Sequence, residues 1–250
     1  VFRYVLSRYE LDSEVTRLVD GRRLLLIPTL NPDAIELARL DHSLAGLDTA
    51  NKEAQQLDSS FTQERDPSKT PEVSAVKDLV ATMSPSLVLV LRGGQEGVTY
   101  PPSEETDQLM THFDVESFEF LGKQYSQLAE MPQTESSCGS LHLREGVARD
   151  LEVKTTPNSL LDYLFKETSA YGFNIYYSCF GIPAQDQLAL LWHKHRDALV
   201  KVLGSLNLGV RGFVTDESGR PIPKARVTLQ KSNHVTLTGP LGGFWRLLGP

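Results

Sequence analysis

Runs of apolar residues along this chain alternate between a pattern typical of buried β-strands and one typical of amphipathic helices. An uninterrupted apolar run at residues 87–91 ends at Gly93-Gly94 and predicts a buried strand. A shorter run at residues 23–27 predicts another strand. Between them, Thr70 as cap and Pro71 at the first helical position predict a helix. The order strand, helix, strand is typical of a parallel sheet.

Helical spacing predicts two short helices within residues 1–19, the second capped by Ser13, and longer helices over residues 115–128 and 185–206. Residues 172–179 are rich in aromatic and β-branched residues and predict a further strand. The helix at 185–206 has the broadest apolar face, which we expect to be buried in the core. Its apolar residues are Leu188, Leu191, Trp192, Leu199, Val202 and Leu203.

Two long polar stretches interrupt this pattern. Residues 41–70 and 131–158 show little periodicity and are expected to run over the surface as irregular segments. Residues 31–33, Asn-Pro-Asp, predict a turn, because proline favours a chain reversal there.

The pattern changes after Leu208 to short alternating segments separated by turns. Residues 210–214 and 225–229 predict strands, with a turn at 216–219 between them. We therefore predict an α/β domain over residues 1–207, with a mixed, mostly parallel sheet flanked by helices, and the start of an all-β sandwich over residues 208–250.

Composition narrows the class of protein only broadly. The 250 residues carry a formal net charge of −7, which argues against a nucleic-acid partner because phosphate binding needs a basic face. No apolar run approaches the ~20 residues that span a bilayer, so we expect no membrane contact by this chain. Its first residue is Val1 and its opening pattern is already helical, which predicts a piece of a longer protein. Spacing leaves open whether Cys138 and Cys179 pair or remain free thiols.

Arg92 is the principal candidate for a functional residue, because it is the last side chain of the predicted strand at 87–91. Strands of α/β sheets place functional groups at their carboxyl ends. An arginine there either binds an anion or pairs with a nearby carboxylate. We favour pairing, with Asp58 as the partner.

Several strings, in order along the chain, resemble the zinc metallocarboxypeptidases of the N/E type. This resemblance implies a carboxypeptidase-like α/β domain followed by a transthyretin-like β domain. The strings are Ile27-Pro-Thr-Leu-Asn-Pro-Asp33, Leu57-Asp-Ser-Ser-Phe61, Leu91-Arg-Gly-Gly94 with Tyr100-Pro101, Asp162-Tyr163, Ser178-Cys179, Leu208-Gly-Val-Arg-Gly-Phe-Val214, Gly219-Arg-Pro-Ile-Pro-Lys-Ala225 and Gly243-Phe-Trp-Arg-Leu-Leu248.

The resemblance also implies which positions would carry the family's chemistry, and most hold other residues. The third zinc ligand, a histidine in the family, falls on Arg92, and the first two would lie before Val1. The remaining positions concern substrate binding and proton transfer. The substrate-carboxylate clamp falls on Asp58 and Ser59, the carbonyl-polarising arginine on Thr49, the substrate-closing tyrosine on Lys154, and the general-base glutamate on Gly172.

These substitutions predict a domain without peptidase activity. Arginine has no lone pair for zinc, and a glycine cannot accept a proton from water. An aspartate in the clamp would repel a C-terminal carboxylate. We therefore expect no cofactor, although zinc serves the active members of the family. The alternative is a zinc-dependent carboxypeptidase with altered ligands that removes C-terminal basic residues.

Other histidines offer weaker candidates for a metal site. His142 and Glu145 have the spacing of a zinc-binding pair but lie in an irregular segment, so we expect a solvated loop. His193 and His195 are two residues apart and cannot chelate together on a helix; we expect surface or groove residues.

The expected role is therefore structural or in binding within a larger protein. Its partners would be a peptide or protein ligand and sibling carboxypeptidase repeats in the same parent chain. The resemblance further implies a secretory-pathway or extracellular location, and it allows a membrane anchor elsewhere in the parent chain.

Overall fold

The computed structural model of the chain describes residues 1–41, 57–61, 68–101, 110–138, 141–150, 159–168 and 170–248. The helices in these ranges are α1 (Phe2–Arg8), α2 (Ser13–Gly21), α3 (Pro32–Asp41), α4 (Pro71–Met83), α5 (His112–Leu128), α6 (Leu160–Glu167) and α7 (Leu188–Gly204). The strands are β1 (Leu87–Gly93), β2 (Gln95–Tyr100), β3 (Val147–Arg149), β4 (Tyr171–Ser178), β5 (Val210–Phe213), β6 (Arg226–Val227), β7 (Thr236–Leu237) and β8 (Gly243–Arg246).

The main sheet has the strand order β1-β4-β2-β3. β1 runs parallel to β4 and β2 parallel to β3, whereas β2 and β4 are antiparallel. This confirms a mixed sheet flanked by helices. β2 was not predicted, because Gln95-Glu96-Gly97 gives its first half no apolar character.

The strand predicted at residues 23–27 is not formed in the described part of the chain. The segment is apolar, but a strand exists only when a neighbour pairs with its backbone. The side chains of Leu25, Leu26 and Ile27 are instead exposed.

Two helix starts also differ from the sequence prediction. The cap of α2 is Asp12 rather than Ser13, because the Asp12 carboxylate accepts hydrogen bonds from the amides of Glu14 (2.9 Å) and Val15 (3.2 Å). The turn predicted at residues 31–33 opens α3, and the Asn31 side chain accepts from the Ala34 amide at 3.0 Å.

Two hydrophobic clusters hold helices against the sheet. Phe118 on α5 lies within the larger one, with ring centroids 4.8 Å from Tyr171 and 5.6 Å from Phe173 on β4. The second cluster joins α4 and α6 to β1 through the side chains of Val73, Val76, Val80, Val88, Val90, Leu160, Leu161 and Leu164. The apolar face of α7 is buried at Leu199 and Val202, but Leu188 at its start is half exposed.

The Gly93-Gly94 pair is explained by a close backbone approach. A Cβ atom at residue 93 would lie 2.3 Å from the Phe180 carbonyl oxygen and 2.7 Å from Gly181 Cα. Gly94 has a φ of +94°, which side chains rarely adopt. Gly93 therefore lets the end of β1 lie against the segment after β4, and Gly94 provides the left-handed backbone conformation between β1 and β2.

Cys138 and Cys179 form a disulfide, with the two Cα atoms 5.6 Å apart. Cys179 directly follows β4, and Cys138 belongs to the segment between α5 and β3. The sequence left open whether these two cysteines pair or remain free thiols, and the structure shows that they pair.

The segments after Leu208 form two small antiparallel pairs, β5 with β8 and β6 with β7. They are joined to α5 by a buried ion pair in which Arg246 Nη2 donates to Asp114 Oδ1 at 2.8 Å. The predicted boundary at residue 208 and the transthyretin-like character of these strands stay predictions.

His195 is buried, which corrects the expectation of a surface or groove residue. Its Nε2 donates to the Tyr177 carbonyl oxygen (3.2 Å), so Nδ1 accepts from the Tyr125 hydroxyl (3.0 Å). Burial, with a smaller contribution from the positive charge of Lys194, lowers the pKa of His195 to about 4. The imidazole is therefore neutral at pH 7.

We expect the free energy of unfolding to fall as pH is lowered from about 6.5 towards 4, with His195 contributing roughly 2–3 kcal/mol. Within this window the unfolded chain protonates His195 and the folded chain does not, so acid favours unfolding; above it the contribution is complete. Urea unfolding across this range checks the effect. A His195→Gln variant should lose less stability on acidification than the natural chain, and equal losses would contradict the assignment.

Candidate functional site

Arg92 and Asp58 meet at the carboxyl end of β1, as the sequence predicts. Asp58 lies in a short 3₁₀ turn at residues 58–60. Its two carboxylate oxygens accept hydrogen bonds from Arg92 Nη1 at 2.5 Å and from Nη2 at 2.6 Å. This two-pronged geometry is the strong form of an arginine–carboxylate pair.

The pair continues into a polar network that crosses the sheet. Arg92 Nε donates to Asn174 Oδ1 on β4 at 2.9 Å. Asn174 Nδ2 in turn donates to the Thr99 hydroxyl on β2 at 3.2 Å. Thr99 also hydrogen-bonds the buried carboxyl group of Asp150, which directly follows β3. Several segments of the chain therefore contribute polar groups to one site.

The charges of this network are strongly coupled. Burial alone would lower the pKa of Arg92, but hydrogen bonding to Asp58 and the charge of that carboxylate hold it above its ordinary value. Burial raises the pKa of Asp150 to about 7 and that of Tyr176 to about 12. Tyr176 is therefore neutral at pH 7, and Arg92 has a carboxylate counter-ion in Asp58.

Gly172, to which the resemblance assigns the general-base position, lies away from Arg92 along the sheet. Gly172 is in register with Val88, whereas Tyr176 is in register with Arg92. Four residues along a strand correspond to about 13 Å. A Cβ atom at residue 172 would also lie 2.8 Å from Leu161 Cδ2, beneath α6. The β4 residue beside Arg92 is therefore Tyr176, and the assignment of the general-base position to Gly172 stays a prediction.

Of the remaining predicted site positions, the structure describes only Ser59. Ser59 lies beside Asp58 in the 3₁₀ turn. Thr49 and Lys154 lie outside the described residues.

His142 and Glu145 do not point to a shared site. His142 Nδ1 lies 3.8 Å from a Glu135 oxygen, and its side chain is exposed. Glu145 pairs with Lys123 on α5 at 2.6 Å. The expectation of a solvated loop is confirmed for His142.

Sequence reasoning missed four residues of this site, namely Thr99, Asn174, Asp150 and Tyr176. Period-two alternation along β4 places residues 172, 174 and 176 on one face, and this could have identified Asn174 and Tyr176. Asp150 carried no signal, because it lies in a segment without periodicity.

A zinc ion does not fit the residues at this site. Three N–H groups of Arg92 are committed to Asp58 and Asn174, and a guanidinium offers no lone pair to a metal. Within the ranges that the structure describes, no group of three or more histidine, cysteine, aspartate or glutamate side chains could hold a metal ion. No chemical step through zinc follows from this arrangement.

We expect Asp58→Asn to lower the free energy of unfolding by about 2–3 kcal/mol, because it leaves the Arg92 charge without its counter-ion. The value lies below that of fully buried pairs, since about a fifth of each side chain is exposed, 21% for Arg92 and 19% for Asp58. The double variant Asp58→Leu/Arg92→Leu, which removes both charges, should lose less. Urea unfolding compares the three proteins, and a single variant as stable as the natural chain would contradict the pairing.

The chain belongs to the zinc carboxypeptidase family, whose profile matches residues 1–198. It is similar to human carboxypeptidase D, at 27% identity over 262 residues that include 100% of the chain. Carboxypeptidase D of the duck Anas platyrhynchos is 30% identical over 99% of the chain, and human carboxypeptidase Z is 25% identical over 99%.

The chain spans only part of these relatives. It corresponds to 19% of the length of human carboxypeptidase D, 18% of the duck protein and 44% of human carboxypeptidase Z. Among the described residues, none of the helices has the length and apolar character needed to span a membrane.

Proposed function

We propose that this carboxypeptidase-family domain is catalytically inactive and has a structural or protein-binding role within a larger protein. The observation that carries the proposal is the two-pronged ion pair between Arg92 and Asp58. By the resemblance, Arg92 falls at the third zinc-ligand position and Asp58 falls in the substrate-carboxylate clamp. A guanidinium cannot coordinate zinc, and an aspartate repels a substrate carboxylate.

The ion pair also argues against binding of a C-terminal carboxylate at Arg92, where the family's substrate site would lie. A carboxylate ligand would have to displace Asp58 from Arg92, and the displaced Asp58 would then lie beside it with the same charge. The partner is therefore expected to be a peptide or protein recognised away from Arg92, or a sibling carboxypeptidase repeat. In having Asp58-Ser59 and no histidine at the Gly-Gly strand, the domain resembles the third, non-catalytic repeat of carboxypeptidase D.

We further propose a secretory-pathway or extracellular setting, within a parent chain that carries a membrane anchor if it is organised like carboxypeptidase D. The disulfide between Cys138 and Cys179 supports the setting, because such bonds persist in oxidising compartments. The membrane anchor comes only from the resemblance to carboxypeptidase D.

The test is hydrolysis of peptides that end in lysine or arginine, with saturating zinc and human carboxypeptidase D as the active reference. The assay uses the chain extended at its amino end through the family's first two zinc ligands, which lie in the string His-x-x-Glu. We expect no release of the C-terminal residue above the rate without enzyme. Release that a chelator abolishes would overturn the proposal and favour an active metallocarboxypeptidase with altered ligands.

A further inference from the structure

Residues 134–138 and 141–143, between α5 and β3, form the two arms of an antiparallel hairpin. The Ser136 amide donates to the Leu141 carbonyl oxygen at 2.9 Å, and a second backbone hydrogen bond of 2.7 Å and an antiparallel bridge continue the pairing. A two-stranded hairpin is at best marginally stable on its own. The position of these arms therefore depends on what they contact and on what attaches them.

The hairpin packs its apolar side chains onto β2. The side chains of Leu141 and Leu143 are buried. A Cβ atom at Gly97 would lie 2.8 Å from Leu141 Cδ2 and 2.9 Å from Leu143 Cδ2, so a glycine at this position makes room for both leucines. Tyr176 on β4 packs against the cluster that these leucines form with Ala148.

The face of the sheet that the hairpin covers also carries the polar network of Arg92. In the pairing of β2 with β4, Gly97 lies directly opposite Tyr176. Thr99 lies opposite Asn174 in the same pairing. Residues paired in this way, and residues two apart on one strand, share a face of the sheet. Because Tyr176 is also in register with Arg92 on β1, it lies between the hairpin and Arg92.

One end of the hairpin is attached to the sheet by a covalent bond. Cys138 is joined to Cys179, which directly follows β4. Beside this bond, the Glu96 amide on β2 donates to Ser136 Oγ at 3.0 Å. The opposite end of the hairpin continues into β3 through the main chain. Breaking the disulfide therefore leaves the end at Cys138 held by noncovalent contacts alone.

We propose that this hairpin is a redox-controlled cover over Tyr176 and the polar network beside it. With the disulfide intact, the hairpin is closed and shields Tyr176 from solvent. Reduction releases the end at Cys138, so that Leu141 and Leu143 leave β2 and Tyr176 becomes accessible while the core stays folded. The inference does not depend on whether the domain is an enzyme.

The chemical step is thiol–disulfide exchange with a dithiol, either dithiothreitol or a protein with two neighbouring cysteines. One thiolate of the dithiol attacks a sulfur of the Cys138–Cys179 bond, which breaks and releases the other cysteine as a thiolate. The second thiol of the dithiol then displaces the first cysteine. Two electrons and two protons pass to the chain, so both cysteines become thiols and the dithiol becomes a disulfide.

Nitration by tetranitromethane at about pH 8 measures the opening, because the reagent attacks accessible tyrosines. The double variant Cys138→Ala/Cys179→Ala represents the opened state and offers the reagent no thiol to oxidise. We expect Tyr176 to be nitrated at least tenfold faster in this variant than in the natural chain, as measured by mass spectrometry. Ser136→Ala removes the hydrogen bond beside the disulfide but keeps the disulfide, and should change the rate less than threefold. Tyr171, which is fully buried, should stay unreactive in all three proteins.

Equal nitration of Tyr176 in the natural chain and the double variant would overturn the proposal. Nitration of Tyr171 together with Tyr176 would also overturn it, because the whole domain would then have unfolded. Hydrogen exchange in the reduced natural chain is a second measurement that needs no variant. Within about a minute, the amides of Glu96 and Leu143 should lose the protection that they have in the oxidised chain, while the Phe173 amide keeps it. Retained protection at Glu96 and Leu143, or its loss at all three amides, would contradict a cover that opens locally.

Discussion

Replacement of Asp114 by alanine is expected to lower the free energy of unfolding by about 3–5 kcal/mol, the largest effect of a single substitution that we predict. The Asp114 side chain is fully buried and accepts from Arg246 Nη2 at 2.8 Å. It also accepts from the Ser232 hydroxyl, from the Asn233 amide at 3.1 Å and from the backbone and hydroxyl of Thr111. Its removal leaves a buried guanidinium and several donors without their acceptor.

Two control variants distinguish the loss of this buried ion pair from the loss of a helix cap and from the loss of an exposed ion pair. Thr111→Ala removes the cap of α5 but keeps Arg246 paired, and should cost about 1 kcal/mol. Glu14→Gln breaks an exposed pair with Lys201 and should change stability by less than about 0.5 kcal/mol. Urea unfolding measures all three. If Asp114→Ala lowers the free energy of unfolding no more than Thr111→Ala does, the Arg246 charge does not depend on Asp114 as its buried counter-ion.

The same carboxylate should make this junction sensitive to acid. Burial would raise the pKa of Asp114, but hydrogen bonds from Ser232 and Thr111 and the charge of Arg246 together lower it. A carboxylate with a lowered folded pKa stabilises the protein above its unfolded pKa and loses that contribution as pH falls through the folded value. Strongly acidic conditions should therefore weaken the attachment of β8 to α5.

Reduction of the disulfide is the other change with a large expected effect, a loss of about 4 kcal/mol in the free energy of unfolding. Cys138 and Cys179 are 41 residues apart in the sequence, and the chain-entropy relation gives this value for a loop of that length. The bond restricts the unfolded chain, so its loss favours unfolding even where folded contacts persist. Urea unfolding with and without dithiothreitol measures the difference.

The matched control is the double variant Cys138→Ala/Cys179→Ala. It should be about as stable as the reduced natural chain, and dithiothreitol should not change its stability further. Mass spectrometry after alkylation without reductant should find no labelled cysteine in the natural chain. Two labelled cysteines, or a natural chain whose stability dithiothreitol leaves unchanged, would contradict the pairing.

The sequence predicted those parts of the fold in which local pattern and tertiary environment agree. β1, α4 and the cap position at Thr70 follow from periodicity and from the helix-start preference of Pro71. The strand predicted at residues 23–27 failed because strand formation depends on a partner, which local composition does not reveal. β2 was missed for the converse reason, since its neighbours β4 and β3 stabilise a segment with a polar start.

For the candidate site, the sequence predicted the central ion pair but not the polar residues around it. The pairing of Arg92 with Asp58 followed from charge alone, once the two positions were expected to meet. The count along one strand that assigned the general-base position to Gly172 has no check on register, which only the pairing of β1 with β4 supplies. Asp150 could not be found, since burial of a carboxyl group depends on distant parts of the chain.

Zinc stoichiometry tests the central claim, the absence of a catalytic metal site, most directly. The measurement is elemental analysis of the chain extended at its amino end through the family's His-x-x-Glu position, purified without chelator and dialysed against trace zinc. Because Arg92 is bound to Asp58 and offers no lone pair to a metal, we predict a value near zero zinc ions per chain. A value near one would contradict this account of Arg92.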